Sequence, residues 1–276
     1  MSARDKLLRS IVFWLLLSPV LLAILFPFAV MTITALKSAT EVHDPNWWPR
    51  EWRWVNFVEM WDTSGFGPAL LNSLYVSGLT TLLTVAISIP AAYALSRFQF
   101  AGRGAFRQFL LISQMLSPIV LVIGLFRLVA GVGLIDNLNT LIVIYVAFNV
   151  AFCIWMLQSY FSTIPRDLEE AAWMEGAGRG RTLLSIFLPL AAPAIVVTAI
   201  FTFINAWNEF IIALTMLRQE DNYTLPIRVF SLVSGRYSVD WNYVMAAAFL
   251  ASVPVAVIFA WLQRYLVRGL ALGAVK

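Results

Sequence analysis

Six long apolar segments divide this chain, at about Ile11–Thr34, Ala69–Leu95, Phe106–Ala130, Asn139–Tyr160, Leu184–Leu217 and Tyr243–Leu266. A helix of about 20 apolar residues crosses the hydrocarbon core of a bilayer, and each segment reaches that length. The pattern predicts an all-α polytopic membrane protein, with six transmembrane helices in a single domain over residues 1–276. Composition agrees: 61% of the residues are apolar and 12% charged, against about half and about a quarter in soluble proteins. That balance excludes a disordered chain, a nucleic-acid-binding domain and an ordinary soluble enzyme. Five of the six segments contain proline (Pro19 and Pro27, Pro90, Pro118, Pro189 and Pro193, Pro254), which kinks a helix and frees a carbonyl. Such kinks suit a moving or cavity-lining bundle. They equally suit the ordinary composition of membrane helices.

Several chemistries are absent. Cys153 is the only cysteine and His43 the only histidine, so neither an internal disulfide nor a cysteine- or multi-histidine metal site can form. None of the three lysines, Lys6, Lys37 and Lys276, ends a G-x-x-x-x-G-K-[ST] loop, so the chain has no P-loop for ATP. The positive start Arg4, Lys6 and Arg9 precedes an apolar run too long for a signal peptide, with no A-x-A-like cleavage site after it. It reads as a retained first span.

Six spans place both termini on one side, and the side richer in arginine and lysine is the cytoplasmic one. The face holding the termini and the loops before the third and fifth spans carries twelve basic and five acidic residues; the other carries six and nine. Arg127 and Glu209 lie within spans and cancel. The net charge of +4 is thus largely a topology signal, and both termini are expected in the cytoplasm. In the outer loop Ala35–Pro68, Trp54, Phe57, Val58 and Trp61 recur at helical spacing. An amphipathic helix in the outer interface is the simplest account, since tryptophan is enriched there whatever the function; sugar stacking is the other reading. The outer loop Arg218–Asn242 is polar.

The inner loop, Phe161–Leu183, is the most informative stretch. Pro165 can start a helix whose first turn carries Asp167, Glu169 and Glu170, where the helix dipole favours acids. Leu168, Ala171, Ala172 and Glu175 then share a face, and Gly176, Gly178 and Gly180 end the helix. The residues alone allow a docking element or a plain connector.

Here the chain resembles a known family. Glu170-Ala171-Ala172, three residues, Gly176, nine residues, Ile186, one residue and Leu188-Pro189 match the E-A-A-x3-G-x9-I-x-L-P loop motif of membrane subunits of binding-protein-dependent ABC importers. Glu175 stands where the commonest version has aspartate, which keeps the charge. Trp207-Asn208-Glu209-Phe210 is similar to the W-N-E-F of sugar-importer permeases. Gln263–Lys276 resembles the closing Q-R-x-L-V-x-G-L-x-x-G-x-V-K of the maltose-type second permease subunit, and Asn56-Phe57 resembles an N-Y/F pair of those proteins.

The resemblance implies the type I importer permease fold in a bacterial plasma membrane. It implies four partner chains: a homologous second permease, two copies of an ATPase subunit and an extracytoplasmic solute-binding protein. The chain itself would be no enzyme and bind no cofactor, with ATP and Mg on the ATPase. The E-A-A loop, over Asp167–Gly178, would be the coupling helix seated in that ATPase. Leu168, Glu169, Glu170, Ala171, Ala172 and Gly176 would form the contact, with Glu170 meeting a basic partner residue and Gly176 allowing the turn. The tail, through Gly269, Leu270, Gly273 and Lys276, would also reach the ATPase subunits. Taken by itself, that tail reads as a frayed terminus.

Polar groups inside spans are candidates for a solute path: Tyr145 and Asn149 in the fourth, Asn205, Asn208 and Glu209 in the fifth, with Thr198 and Thr202 on the same stripe. Interhelical hydrogen bonding is the other reading, and an Arg127–Glu209 pair is one form of it. The expected cargo is a di- or oligosaccharide. An amino-acid or glycerol-phosphate importer is the near alternative, although a phosphate would call for basic groups in the path and only Arg127 lies within a span. An ion-coupled secondary transporter would show inverted repeats and buried acids near the midplane, whereas Glu209 is the sole intramembrane acid.

Overall fold

The computed structural model describes residues 3–234 and 238–273, with side chains over 12–234 and 238–261. Among the described residues there is no strand. Five helices of the described residues are long and apolar enough to cross a membrane, within Val12–Ala35, Phe66–Arg97, Leu138–Phe161, Arg179–Asn208 and Trp241–Trp261. The third expected span, 106–130, is instead two helices, α4 (Arg103–Gln114) and α5 (Pro118–Gly131), bent by 96°. Ser117 takes the extended conformation that a following proline enforces, so α4 cannot continue through it. Counted as one broken span, the pair completes six.

The chain forms two compact units. The first runs to Phe66 and takes in Val229–Val253. It contains α1 (Ala3–Ala35) and α2 (Val55–Thr63), the amphipathic helix foreseen in the tryptophan-rich loop. α2 buries Asn56 and Met60 and leaves Trp54, Val58 and Trp61 exposed. Asn56 explains the Asn-Phe pair. Its amide donates to the carbonyls of Ala35 at 2.7 Å and Lys37 at 2.8 Å, acceptors left over where α1 ends. The Phe57 ring meets Phe249 edge-on at 6.2 Å, and the Tyr243 hydroxyl donates to Glu59 at 2.8 Å.

The second unit holds Gly67–Arg228 and the chain from Pro254. Along α3 (Phe66–Arg97), Ser73, Ser77, Thr80, Thr84 and Ser88 form one buried face. Small side chains on such a face let neighbouring helices come close. α6 (Leu138–Phe161) starts on an Asn137 cap, whose side chain accepts from the Asn139 and Thr140 amides. It packs against α4 and against α9 (Leu188–Asn208).

The expected fifth span, 184–217, is broken. A π-helical turn over Leu183–Phe187 leads into α9, because Pro189 has no N–H to offer the carbonyl four residues back. α9 then stops at Asn208, and a short α10 (Ile211–Met216) follows. The loop read as polar, 218–242, contains α11 (Leu225–Ser231), which buries Leu225, Ile227 and Arg228. The sixth expected span lies in α12 (Trp241–Gly273), which continues beyond the expected end at Leu266.

Candidate coupling site and solute-path cavity

The inner loop forms α7 (Asp167–Met174), four residues shorter than expected. Asp167, Glu169 and Glu170 occupy its first turn, and a Schellman motif closes it. Ala177 N–H donates to the Ala172 carbonyl at 2.9 Å and Gly176 N–H to Trp173 at 3.0 Å, with Gly176 in the left-handed region at φ +82. The role of Gly176 is thus conformational. Gly178 and Gly180 do not end this helix: Gly178 precedes a further helical turn, α8 (Arg179–Thr182), and Gly180 lies inside it.

The helix phase differs from the expectation in one respect. Leu168, Glu170, Ala171 and Met174 are exposed, Met174 to 89%. Ala172 is half-buried, and Glu169 is the one buried residue of α7. Glu169 therefore faces the bundle rather than outward. Its Oε2 lies 3.3 Å from Arg97 Nε, each side chain 5% exposed, and Oε1 accepts from the Tyr93 hydroxyl at 2.6 Å. Sequence reasoning missed Arg97 and Tyr93 as members of this site. The available signal was an arginine ending an apolar span opposite an acidic loop. Beside the joint lies a cavity of about 470 Å³, lined by Phe98, Arg166, Glu170, Trp173 and Arg179 together with the Arg97–Glu169 pair.

Four of the five candidate path residues come together. Tyr145, Asn149, Asn205 and Glu209 line one cavity of about 320 Å³, with Ser113 and Gln114 from the end of α4 and the rings of Phe148 and Phe152. Asn208 is exposed and is not in its lining. Asn149 donates to the Tyr145 carbonyl at 2.8 Å and accepts from Asn205 at 3.4 Å. Thr198 and Thr202 spend their hydroxyls on carbonyls of their own helix.

Glu209 makes no ion pair with Arg127 among the described residues. Its carboxylate accepts from the Tyr145 hydroxyl and from the amides of Ile212 at 2.8 Å and Ala213 at 3.1 Å. The latter are donors that the start of α10 leaves without helical partners. The acid therefore stabilises the helix break and still borders the cavity. Of the W-N-E-F residues, Trp207 is buried and stacks on Phe203 at 5.6 Å. Of the tail, Gly269, Leu270 and Gly273 are described only as backbone of α12, and Lys276 lies outside the described residues.

Known proteins agree with this architecture. A probable ABC transporter permease of Bacillus subtilis is 34% identical over 264 residues, covering 95% of this chain and 87% of that protein. A trehalose/maltose transport system permease of Thermococcus litoralis is 36% identical over 277 residues, covering 99% of each chain. The crystal structure of a bacterial ABC transporter involved in import of the acidic polysaccharide alginate has a chain that superposes with a TM-score of 0.81. It is 22% identical in sequence, with 96% of this chain and 99% of that one covered. Residues 84–272 match the family described as binding-protein-dependent transport system inner membrane component. That match spans more than half of the sequence, and the chain belongs to this family of membrane transport components.

Proposed function

We propose that this chain is a permease subunit of an ATP-driven, binding-protein-dependent importer of an uncharged di- or oligosaccharide. It sits in the bacterial plasma membrane with both termini in the cytoplasm, beside a second, homologous permease. Two ATPase subunits hold the ATP and Mg; this chain binds no cofactor. An external solute-binding protein delivers the sugar. α7 is the coupling element: Leu168, Ala171 and Met174 offer an apolar face to the ATPase, and Glu170 an acid for one of its cations. ATP binding shifts the population of the bundle toward the state open to the binding protein, and hydrolysis restores the inward-facing one.

The observation that carries the sugar reading is the cavity at Asn149. Amide, phenol and hydroxyl groups lie beside aromatic faces there, with one carboxylate and no cation in the lining. Such a set suits hydroxyls and pyranose faces and disfavours phosphate or carboxylate solutes. The trehalose/maltose relative supports the same cargo class.

The test is uptake by the complete complex in proteoliposomes, with the cognate binding protein and either a neutral disaccharide or glycerol phosphate. ATP-dependent disaccharide uptake is expected, weakened in Asn149→Ala and Asn205→Ala. Preference for glycerol phosphate would overturn the sugar reading, and uptake driven by an ion gradient without ATP would overturn the importer reading.

A further inference from the structure

A lever works only if it is fixed to what it moves. α7 is fixed unusually: its apolar side chains Leu168 and Met174 point away from the bundle, and its one buried side chain is the carboxylate of Glu169. That carboxylate meets Arg97 at 3.3 Å and the Tyr93 hydroxyl at 2.6 Å, both at the C-terminal end of α3. The same guanidinium donates to the carbonyls of Phe161 at 3.2 Å and Ile164 at 2.6 Å, where α6 ends. It also stands 4.7 Å over the ring of Phe187, in the π-helical turn that opens α9. Tyr93 and Phe161 close on that ring edge-on at 4.9 and 5.6 Å. One side-chain cluster therefore joins α3, α6, α7 and the start of α9.

A buried ion pair is a poor device for stability, because desolvation offsets most of its attraction. Its advantage is direction: a guanidinium hydrogen-bonded to two carbonyls and ion-paired with one carboxylate holds its partners in one geometry, which apolar packing does not.

We propose that the Arg97–Glu169–Tyr93 cluster is the joint that transmits the movement of α7 to the ends of α3, α6 and α9. These three are positioning residues. The inference rests on the coupling role assigned to α7 above.

The test compares binding-protein-stimulated ATP hydrolysis, basal hydrolysis, complex recovery and thermal stability in the reconstituted complex. The decisive variant is the apolar pair Arg97→Met with Glu169→Leu, which replaces the ion pair by groups of similar volume. It is expected to assemble and keep basal hydrolysis, with stability lowered only by the two carbonyls at the end of α6 that Arg97 no longer bonds, yet lose roughly tenfold or more of the stimulated rate, about the effect of one charge-assisted contact. Tyr93→Phe, which removes a single hydrogen bond, is expected to lose stimulation several-fold with assembly unchanged. Two results overturn the joint alone: full stimulation in the apolar pair and in Tyr93→Phe, or loss of ATPase binding in Glu169→Gln but not in the Arg97 and Tyr93 variants, which would make Glu169 a direct ATPase contact. A wild-type complex whose ATPase ignores the binding protein would overturn the coupling reading and the joint with it.

Discussion

Replacing Gly176 isolates the contribution of one backbone conformation to coupling. Gly176 sits at φ +82 just past the end of α7, and a Cβ built there meets no atom within 4 Å. Any penalty of Gly176→Ala therefore comes from the left-handed backbone, about 1–2 kcal/mol for a residue with a Cβ, and not from crowding inside this chain. At about 1.4 kcal/mol per factor of ten, that corresponds to a fall of roughly 5- to 30-fold in the equilibrium constant for closing the Schellman cap. Asparagine tolerates this region better than alanine, so Gly176→Asn should fall between the two. Two readouts follow the loss: hydrogen exchange at the Gly176 and Ala177 amides, which donate to Trp173 and Ala172, and affinity of the ATPase subunit for the permease. The expected order in both is Gly, then Asn, then Ala, with a β-branched Gly176→Val weakest. An Ala variant equal to wild type would refute the conformational argument. Asn as damaging as Val would instead place the side chain against a partner surface, and the explanation would move from φ to contact.

Other predictions rest on single contacts. Asn56→Ala removes two hydrogen bonds to carbonyls at the end of α1 from a residue 1% exposed; a loss of about 1–3 kcal/mol should appear as a lower unfolding temperature in detergent, and an unchanged one would contradict the cap. Asp136 combines φ 62 with a side chain that accepts from the Arg218 and Gln219 amides. Asp136→Asn should be mild and Asp136→Ala worse by about 1–2 kcal/mol, measured the same way; equal effects would show that neither strain nor acceptor matters. Cys153 is fully buried, so Cys153→Ala gives a quiet background for labelling. On it, with the permease expressed without the ATPase subunit, Met174→Cys should react with a membrane-impermeant maleimide in inside-out vesicles only and Trp48→Cys in intact spheroplasts only; the reverse pattern would invert the orientation inferred from the arginines.

The spans were legible because bilayer thickness imposes a length that composition alone can reveal. Their interruptions were less so. Pro118 was visible, but a proline does not announce whether it bends a helix slightly or, as here, ends one and starts another at 96°. Glu209 was visible as a lone acid and invited an arginine partner. The group it satisfies is instead a pair of backbone amides, which exist as donors only because the helix breaks beside them. Side-chain periodicity carries no record of that.

Glu169 and Glu170 teach the same lesson about phase. They are adjacent acids in one helical turn, indistinguishable by charge, propensity or motif spacing. One is buried because Arg97 and Tyr93 lie under it, and no local pattern in the loop reports what another helix places there. The arginines themselves have two roles. Arg103 and Arg107 both donate to the Leu95 carbonyl near the end of α3, at 2.9 and 3.1 Å, and Arg97 does the same for α6. Each meets the negative end of a helix dipole. Residues that read as a topology signal thus also cap the helices that must stay rigid if α7 is to move them. A lysine in place of Arg97 would keep the charge bias on that face but not a guanidinium that bonds two carbonyls through Nη2 while its Nε faces the Glu169 carboxylate. Arg97→Lys should therefore preserve orientation while weakening the end of α6, and an unchanged α6 terminus by hydrogen exchange would show that charge alone suffices there.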